Sequence, residues 1–441
     1  MSLLNRTDLQ EFAKQQTHAL TNLWFDCSDE TPFLPAGISM SQKLENERQL
    51  SETLDWLSRQ LESSTQRGFD QQRFTEEATH RIKQAGVSIF GLENDQVNCI
   101  EQLGINRTAE AFYHQAKAFD PFISFEDIFQ ASRNVWTSNY LQVLLGLPVA
   151  LTPSLFAYSM LYPVTDNYLD DPHFSLAEKA GFNKRFGHWL KGESAIPQNW
   201  NEEDVLDLVR MVEKQYPREQ FAQVYESLLA IHDAQSKSAR MPKWPEQLHV
   251  RRIAEMSFEK GGTSVLADGF LAAGELSAEE MEIIFNYGAF AQLMDDQEDI
   301  EQDLRHRELT LFTEAARHGK TDGVMNRVFN FAHQVLQGLE SFKNPQAAPL
   351  KKMSMKGIDL LLMDAVLRTE KYYSKPYLRQ LEVSFPFRFE YLKRVRKTIR
   401  KKGISAERLI GLFSPKVESL PISVNASELA IAARLPVMLV K

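Results

Sequence analysis

The sequence predicts an all-α protein, and three observations carry that prediction. Apolar residues recur at three- and four-residue intervals along most of the chain, alternating β-branched stretches are nearly absent, and the breaks are rich in Pro, Gly or small polar residues. Of 441 residues, 43% are apolar and 25% charged, with only 20 Gly and 18 Pro, so collagenous, low-complexity and largely disordered chains are excluded. Fifty Lys and Arg against 59 Asp and Glu leave a formal charge of −9, which rules out a generally basic, nucleic-acid-type surface. Cys27 and Cys99 stand far apart with no CxxC pair and no clustered histidines, so neither a disulfide framework nor a thiolate zinc site is expected. The cytoplasm is the default compartment, since Arg6, Asp8, Glu11 and Lys14 occupy the stretch where a signal peptide needs an apolar run.

The helices follow in order. Leu50, Leu54, Leu57 and Leu61 form an early apolar stripe. Ser124 with Asp127 resembles a capping box ahead of Phe125, Ile128, Phe129 and Val135. From 134 to 165 there is no charged residue, and the part from Leu141 to Val164 is apolar enough to raise the question of a membrane span. Gly146, Pro148, Pro153 and Pro163 argue against one: Thr152 reads as an N-cap and Pro153 as a first helical residue, giving two buried helices. Further helical stretches run from Val205 to Val212, Phe221 to Ile231, Ile253 to Gly274, Glu279 to Asp303 and Met325 to Phe342. Breaks are expected at 31–37, 192–201, 241–245, 343–349 and 403–427, and no fixed-period repeat points to a solenoid. No P-loop, GxGxxG, GxSxG or HExxH motif occurs.

Two acidic clusters end apolar helices. Leu155, Phe156, Tyr158, Met160 and Leu161 lead into Asp166-Asn-Tyr-Leu-Asp170-Asp171, and Phe285, Ala289, Phe290 and Leu293 lead into Asp295-Asp296-Gln-Glu-Asp299-Ile-Glu-Gln-Asp303. Asp166 and Asp170 share a helix face, as do Asp295, Asp299 and Asp303. Like charges at this spacing repel, and the helix C-terminus already carries partial negative charge, so a bound cation reverses two penalties at once. Carboxylate oxygens without His or Cys suit Mg²⁺, which typically bridges one or two carboxylates to substrate phosphates. The clusters hold three acids at 166–171 and six at 295–303 with no base, so the rest of the chain has 59 − 9 = 50 acids against 50 bases. The whole charge excess can be assigned to them.

DxxxDD at 166–171 and Gln292-Leu-Met-Asp-Asp-Gln-Glu-Asp299 resemble the two aspartate-rich motifs of the class I isoprenoid synthases, and Lys260-Gly-Gly-Thr-Ser264 resembles the lysine-bearing helix of that family. The resemblance covers roughly 120–320. It implies a large helical bundle with a central apolar cavity and an Mg²⁺-dependent enzyme that ionises a prenyl diphosphate, by terpene cyclisation or prenyl transfer. Asp166, Asp170, Asp295 and Asp299 would be catalytic, and with Asp171 and Asp296 would hold Mg²⁺. Lys260, Arg251 and Arg252 would bind diphosphate, and Phe156, Met160, Phe285 and Phe290 would line the pocket. Neither a GGKR-type motif nor an RRG after the first cluster is present, which moves weight from chain elongation toward single-substrate ionisation or head-to-head condensation. The alternative is a catalytically silent helical scaffold or binding protein.

Arg388 to Lys402 carries eight bases and Glu390, with Leu392, Val395 and Ile399 on one face; this basic amphipathic segment is expected either to pack on the bundle or to touch a membrane peripherally. The expected organisation is an N-terminal helical segment at 1–104, a core at 105–405 and a tail at 406–441. The expected partners are a prenyl diphosphate and a second copy in a homodimer, with no nucleic acid.

Overall fold

The computed structural model describes residues 8–32, 34–64, 68–240, 249–402, 404 and 408; the side chains of Ile100, Glu101, Asn106 and Asp170 lie outside that description. Among the described residues there are eighteen α-helices, three short 3-10 turns and no strand. The helices are α1 (Leu9–Asp26), α2 (Met40–Ser63), α3 (Gln71–Ser88), α4 (Asn94–Leu103), α5 (Ile105–Phe119) and α6 (Phe125–Leu144). Then come α7 (Pro153–Asp170), α8 (Leu176–Lys191), α9 (Trp200–Gln215), α10 (Ala222–Ala239), α11 (Val250–Ala273) and α12 (Ala278–Glu298). The last are α13 (Ile300–His306), α14 (Leu311–His318), α15 (Asp322–Gln337), α16 (Ala348–Arg368), α17 (Lys375–Ser384) and α18 (Phe389–Lys401).

The chain forms two compact units, Met1–Pro32 with Gln115–Pro345, and Phe33–His114 with Gln346–Lys441. These units are discontinuous in the chain, whereas the sequence reading divides it linearly at 104 and 405. Helix α1 buries Leu9, Ala13, Leu20 and Trp24 and packs on α10, α11, α12 and α15, so it belongs with the first unit. In the second unit α2 contacts α18 and α4 contacts α16, and α3 contacts both α2 and α4. The tail from 409 onward lies outside the described residues.

In the first unit α11 is the central helix, in contact with α1, α6, α7, α10, α12 and α14. It is apolar nearly all round, as a helix surrounded by others must be. Phe258 stacks on Phe331 with ring centroids 5.4 Å apart, and Trp24 meets both edge-on. Each such ring removed from water stabilises the fold by roughly 1.5–3 kcal/mol. The charge-free stretch is two helices, as its prolines require. Helix α6 ends at Leu144, Gly146 turns the chain at φ +73°, and Thr152 Oγ1 accepts the Leu155 N–H at 3.3 Å to start α7 at Pro153. No helix among the described residues is long and apolar enough to cross a membrane.

In the second unit the basic segment is packed against protein. Leu392, Val395 and Ile399 are buried, while Arg388 pairs with Glu47, Lys393 with Glu370, Arg396 with Asp364 and Lys402 with Asp55.

Candidate functional site

The site lies where α6, α7, α11 and α12 meet in the first unit. Its position is set by the crossing of α11 and α12, where Gly261 faces Gly288 and Gly262 faces the Phe285 ring so closely that a Cβ on either glycine would overlap its neighbour. Only glycine lets two helices approach this far. The crossing carries Lys260 and Ser257 on one helix and Gln292, Asp295 and Asp296 on the other.

Lys260 is the point of convergence. Burial opposes its charge, but Tyr162, Asp296, Asp295 and Asp166 surround it and together hold its pKa above the ordinary lysine value. Asp166 comes from α7 and Asp295 and Asp296 from α12, so the two acidic clusters act on one ammonium group. Tyr162, one turn before Asp166, sits in the same group: burial raises its pKa, Lys260 and Arg133 lower it, and Asp166 and Asp295 raise it.

Each acid of the second cluster has a distinct environment. Asp295 is ion-paired with Arg133 of α6, at side-chain exposures of 39% and 44%. Asp295 raises the Arg133 pKa, with Glu298 and Tyr162 adding to it. Asp296 is buried; its two oxygens accept from Ser257 Oγ and Gln292 Nε2, each at 2.8 Å. Burial nevertheless lifts its pKa to about 6, against the pull of Gln292, Lys260 and Ser257. Asp299 is exposed at the junction of α12 and α13, and the helical ladder runs through it, with Asp299 N bonding Asp295 O and Asp303 N bonding Asp299 O, both at 2.9 Å. Asp303 is pushed to about 7 by burial and by Asp296, Glu308 and Asp299. Burial is the first cause of both shifts, with neighbouring acids adding to it.

In the first cluster, Asp166 is half-buried and acts on Lys260 and Tyr162. Asp170 closes α7, and its side chain lies outside the described residues. Asp171 caps the helix and turns to its own chain, accepting from His173 N at 2.8 Å and pairing with the His173 ring at 2.7 Å. Pro163 lies within α7, three residues before Asp166, and removes the N–H that would bond the Ser159 carbonyl.

Arg251 and Arg252 stand in the first turn of α11, about 12 Å along the axis from Lys260. Arg251 bonds Asn22 Oδ1 at 2.9 Å and lies over the Phe25 ring, while Arg252 pairs with Glu255. The structure does not bring these two arginines to the acids. Phe156, Met160, Phe285 and Phe290 are all buried, with Phe156 edge-on to Phe119 and Phe285 edge-on to Phe12 of α1.

Sequence reasoning missed Arg133 and Tyr162. Both had a signal: Arg133 is the last charge before the charge-free stretch, and Tyr162 precedes Asp166 by one helical turn. Among the described residues, no three carboxylates, imidazoles or thiols stand close enough together to hold a metal ion by themselves.

No family model matches the chain, and no curated protein matches it. Among solved structures, a geranyltransferase from Legionella pneumophila is similar at a TM-score of 0.38 and 13% identity, over 62% of this chain and 99% of that one. A likeness of this extent decides neither fold nor function.

Proposed function

We propose that this protein is an Mg²⁺-dependent enzyme of the class I isoprenoid synthase type, which binds a prenyl diphosphate and ionises it. The observation that carries the reading is the convergence of Asp166 with Asp295 and Asp296 on Lys260. The donor set is carboxylate oxygen throughout and short of positive charge, which suits Mg²⁺. Since no three described groups form a cage, the fit is to an ion shared between one or two carboxylates and phosphate oxygens. Asp166, Asp170, Asp295, Asp296 and Asp299 are the residues that would hold it. Bound Mg²⁺ would neutralise the diphosphate and stabilise it as a leaving group.

The chain's own residues do the rest. Lys260, positioned by the glycine crossing, would donate to the departing oxygens, and Arg133, paired with Asp295, would supply a second donor to them. Ser257 and Gln292 hold the Asp296 carboxylate in one orientation. The buried aromatic residues keep water from the carbon chain.

The test is incubation with allylic prenyl diphosphates of increasing chain length and Mg²⁺, with pyrophosphate release measured. Release that requires Mg²⁺ and is lost in Asp295→Ala and Lys260→Ala supports the reading. No release at any chain length refutes it and leaves the helical scaffold or binding protein.

A further inference from the structure

The four most exposed large apolar side chains among the described residues are Phe122 at 95%, Leu176 at 87%, Ile196 at 78% and Trp200 at 69%. Phe122 lies in the turn between α5 and α6, Leu176 and Trp200 are the first residues of α8 and α9, and Ile196 is in the connection between those two helices. Though distant in sequence, they are tethered to one end of the first unit. Asn199, the N-cap of α9 and the residue before Trp200, donates from Nδ2 to Tyr168 Oη at 3.3 Å. The Tyr168 ring stacks on Phe174, two residues before Leu176, with centroids 4.2 Å apart. Asp120, two residues before Phe122, is near enough to Asp204, one turn after Trp200, to help raise its pKa. Tyr168 stands in the last turn of α7 between Asp166 and Asp170, so this apolar rim lies beside the end of the helix that carries the first acidic cluster.

Side chains this exposed add little to the core. Exposed apolar residues scattered singly are ordinary, but a gathering of the most exposed ones at one place marks an interaction surface. Each of the four comes from a separate turn or helix start. A folded protein partner requires a continuous, shape-matched patch, whereas a bilayer interface accepts separate apolar prongs. Trp200 suits headgroup depth, since its ring is apolar and its N–H polar. Charge narrows the lipid class. After burial, Asp120, Asp207 and Glu203 are what push the Asp204 carboxyl up, so acids crowd here. Of the nearby bases, Arg210 is paired with Asp207 and Arg185 with Glu202. Such a rim repels anionic headgroups and fits electrically neutral ones.

We infer that this rim is a membrane-docking face: Phe122, Leu176, Ile196 and Trp200 insert into the headgroup region of an electrically neutral bilayer, from which an isoprenoid substrate enters the adjoining site. The entry of substrate rests on the proposed function; the docking itself does not. The contact is peripheral, in keeping with the absence of any membrane-crossing helix among the described residues. It also differs from the expectation placed on the basic segment, whose Leu392, Val395 and Ile399 are turned into protein.

The experiment is sedimentation of the full-length protein with phosphatidylcholine vesicles, repeated with phosphatidylserine added and with raised NaCl. The wild type should bind phosphatidylcholine, bind less well as phosphatidylserine is added, and stay bound in salt, since apolar insertion is not screened. The double variant Phe122→Ser, Trp200→Ser should lower the partition coefficient about a hundredfold, as loss of two inserted side chains does. The double variant Lys397→Glu, Arg400→Glu, which alters exposed bases of α18, should leave it unchanged. No binding to phosphatidylcholine overturns the inference, as does binding that requires phosphatidylserine and is abolished by salt. Loss of binding in the α18 variant with none in the rim variant also overturns it. So does a lipid-free dimer, seen by analytical ultracentrifugation, that the rim variant abolishes, since the face would then belong to a second copy. Vesicle binding by the rim without pyrophosphate release from any prenyl diphosphate removes the proposed function and leaves the docking face standing.

Discussion

Gly261 of α11 and Gly288 of α12 meet backbone to backbone: a Cβ on Gly261 would overlap the Gly288 carbonyl oxygen, and one on Gly288 the Gly261 carbonyl oxygen. Neither obstacle is a side chain that can rotate away. The contact lies one residue from Lys260 and one turn before Gln292, whose amide bonds Asp296. Helix spacing and site geometry are therefore the same variable here. Gly261→Ala should destabilise the protein by about 1–3 kcal/mol, as forced overpacking does. The control is Gly357→Ala in α16, where a Cβ meets nothing within 4 Å and the loss of unfolded-chain freedom should stabilise by up to about 1 kcal/mol. Urea unfolding of both variants checks the pair; equal effects would mean that the crossing is slack.

The all-α class and the two-helix reading of the charge-free stretch were legible because caps, prolines and periodicity act locally. Thr152 and Pro153 start α7 as their chemistry requires. The division into units was not legible: α1 is assigned by Leu9 and Trp24 packing on helices hundreds of residues away, which no local pattern encodes. In the site, charge repulsion drew attention to the aspartates, and the family resemblance gave Arg251 and Arg252 the same diphosphate-binding role as Lys260. Only the angular position of each around α11, and the approach of α1 that engages Arg251 with Asn22, separates them.

Arg133 and Asp295 are each more than a third exposed, so their ion pair contributes at most about 1 kcal/mol to stability. If Arg133 serves only the surface, Arg133→Ala changes little. In the proposed role it supplies a donor to the departing diphosphate, and its loss should lower pyrophosphate release about a hundredfold with unfolding nearly unchanged. Turnover measured beside thermal unfolding distinguishes the two, and unaltered turnover removes Arg133 from the site.

Asp303 has a pKa raised from 3.8 to about 7 in the fold, chiefly by burial. The favourable contribution of its neutral form is fully present below pH ~4 and is lost as pH rises through ~7, up to about 4 kcal/mol in all. Asp303→Asn keeps a neutral group of the same shape. The variant should match the wild type near pH 4 and become progressively more stable than it toward pH 8. A gap in melting temperature that stays constant over this range would show that Asp303 is ionised throughout and well solvated.

The acids of the two clusters outnumber Arg133 and Lys260, and among the described residues no three ligating groups stand close enough together to hold a metal ion. Two consequences follow for binding. Pyrophosphate alone meets repulsion from the aspartates, and Mg²⁺ alone finds one or two carboxylates and must keep most of its water. Together each supplies what the other lacks, so their binding should be strongly coupled, and by linkage the coupling is the same in either order. Thermal unfolding should shift little with MgCl₂ or with pyrophosphate alone. With both present at a hundredfold excess over their joint dissociation constant, the stabilisation should approach about 2.7 kcal/mol. Lys260→Ala and Asp295→Asn should each reduce it. A full shift from MgCl₂ alone would point to a closed cation site independent of phosphate, and a full shift from pyrophosphate alone would point to recognition by Lys260 and Arg133 without any ion.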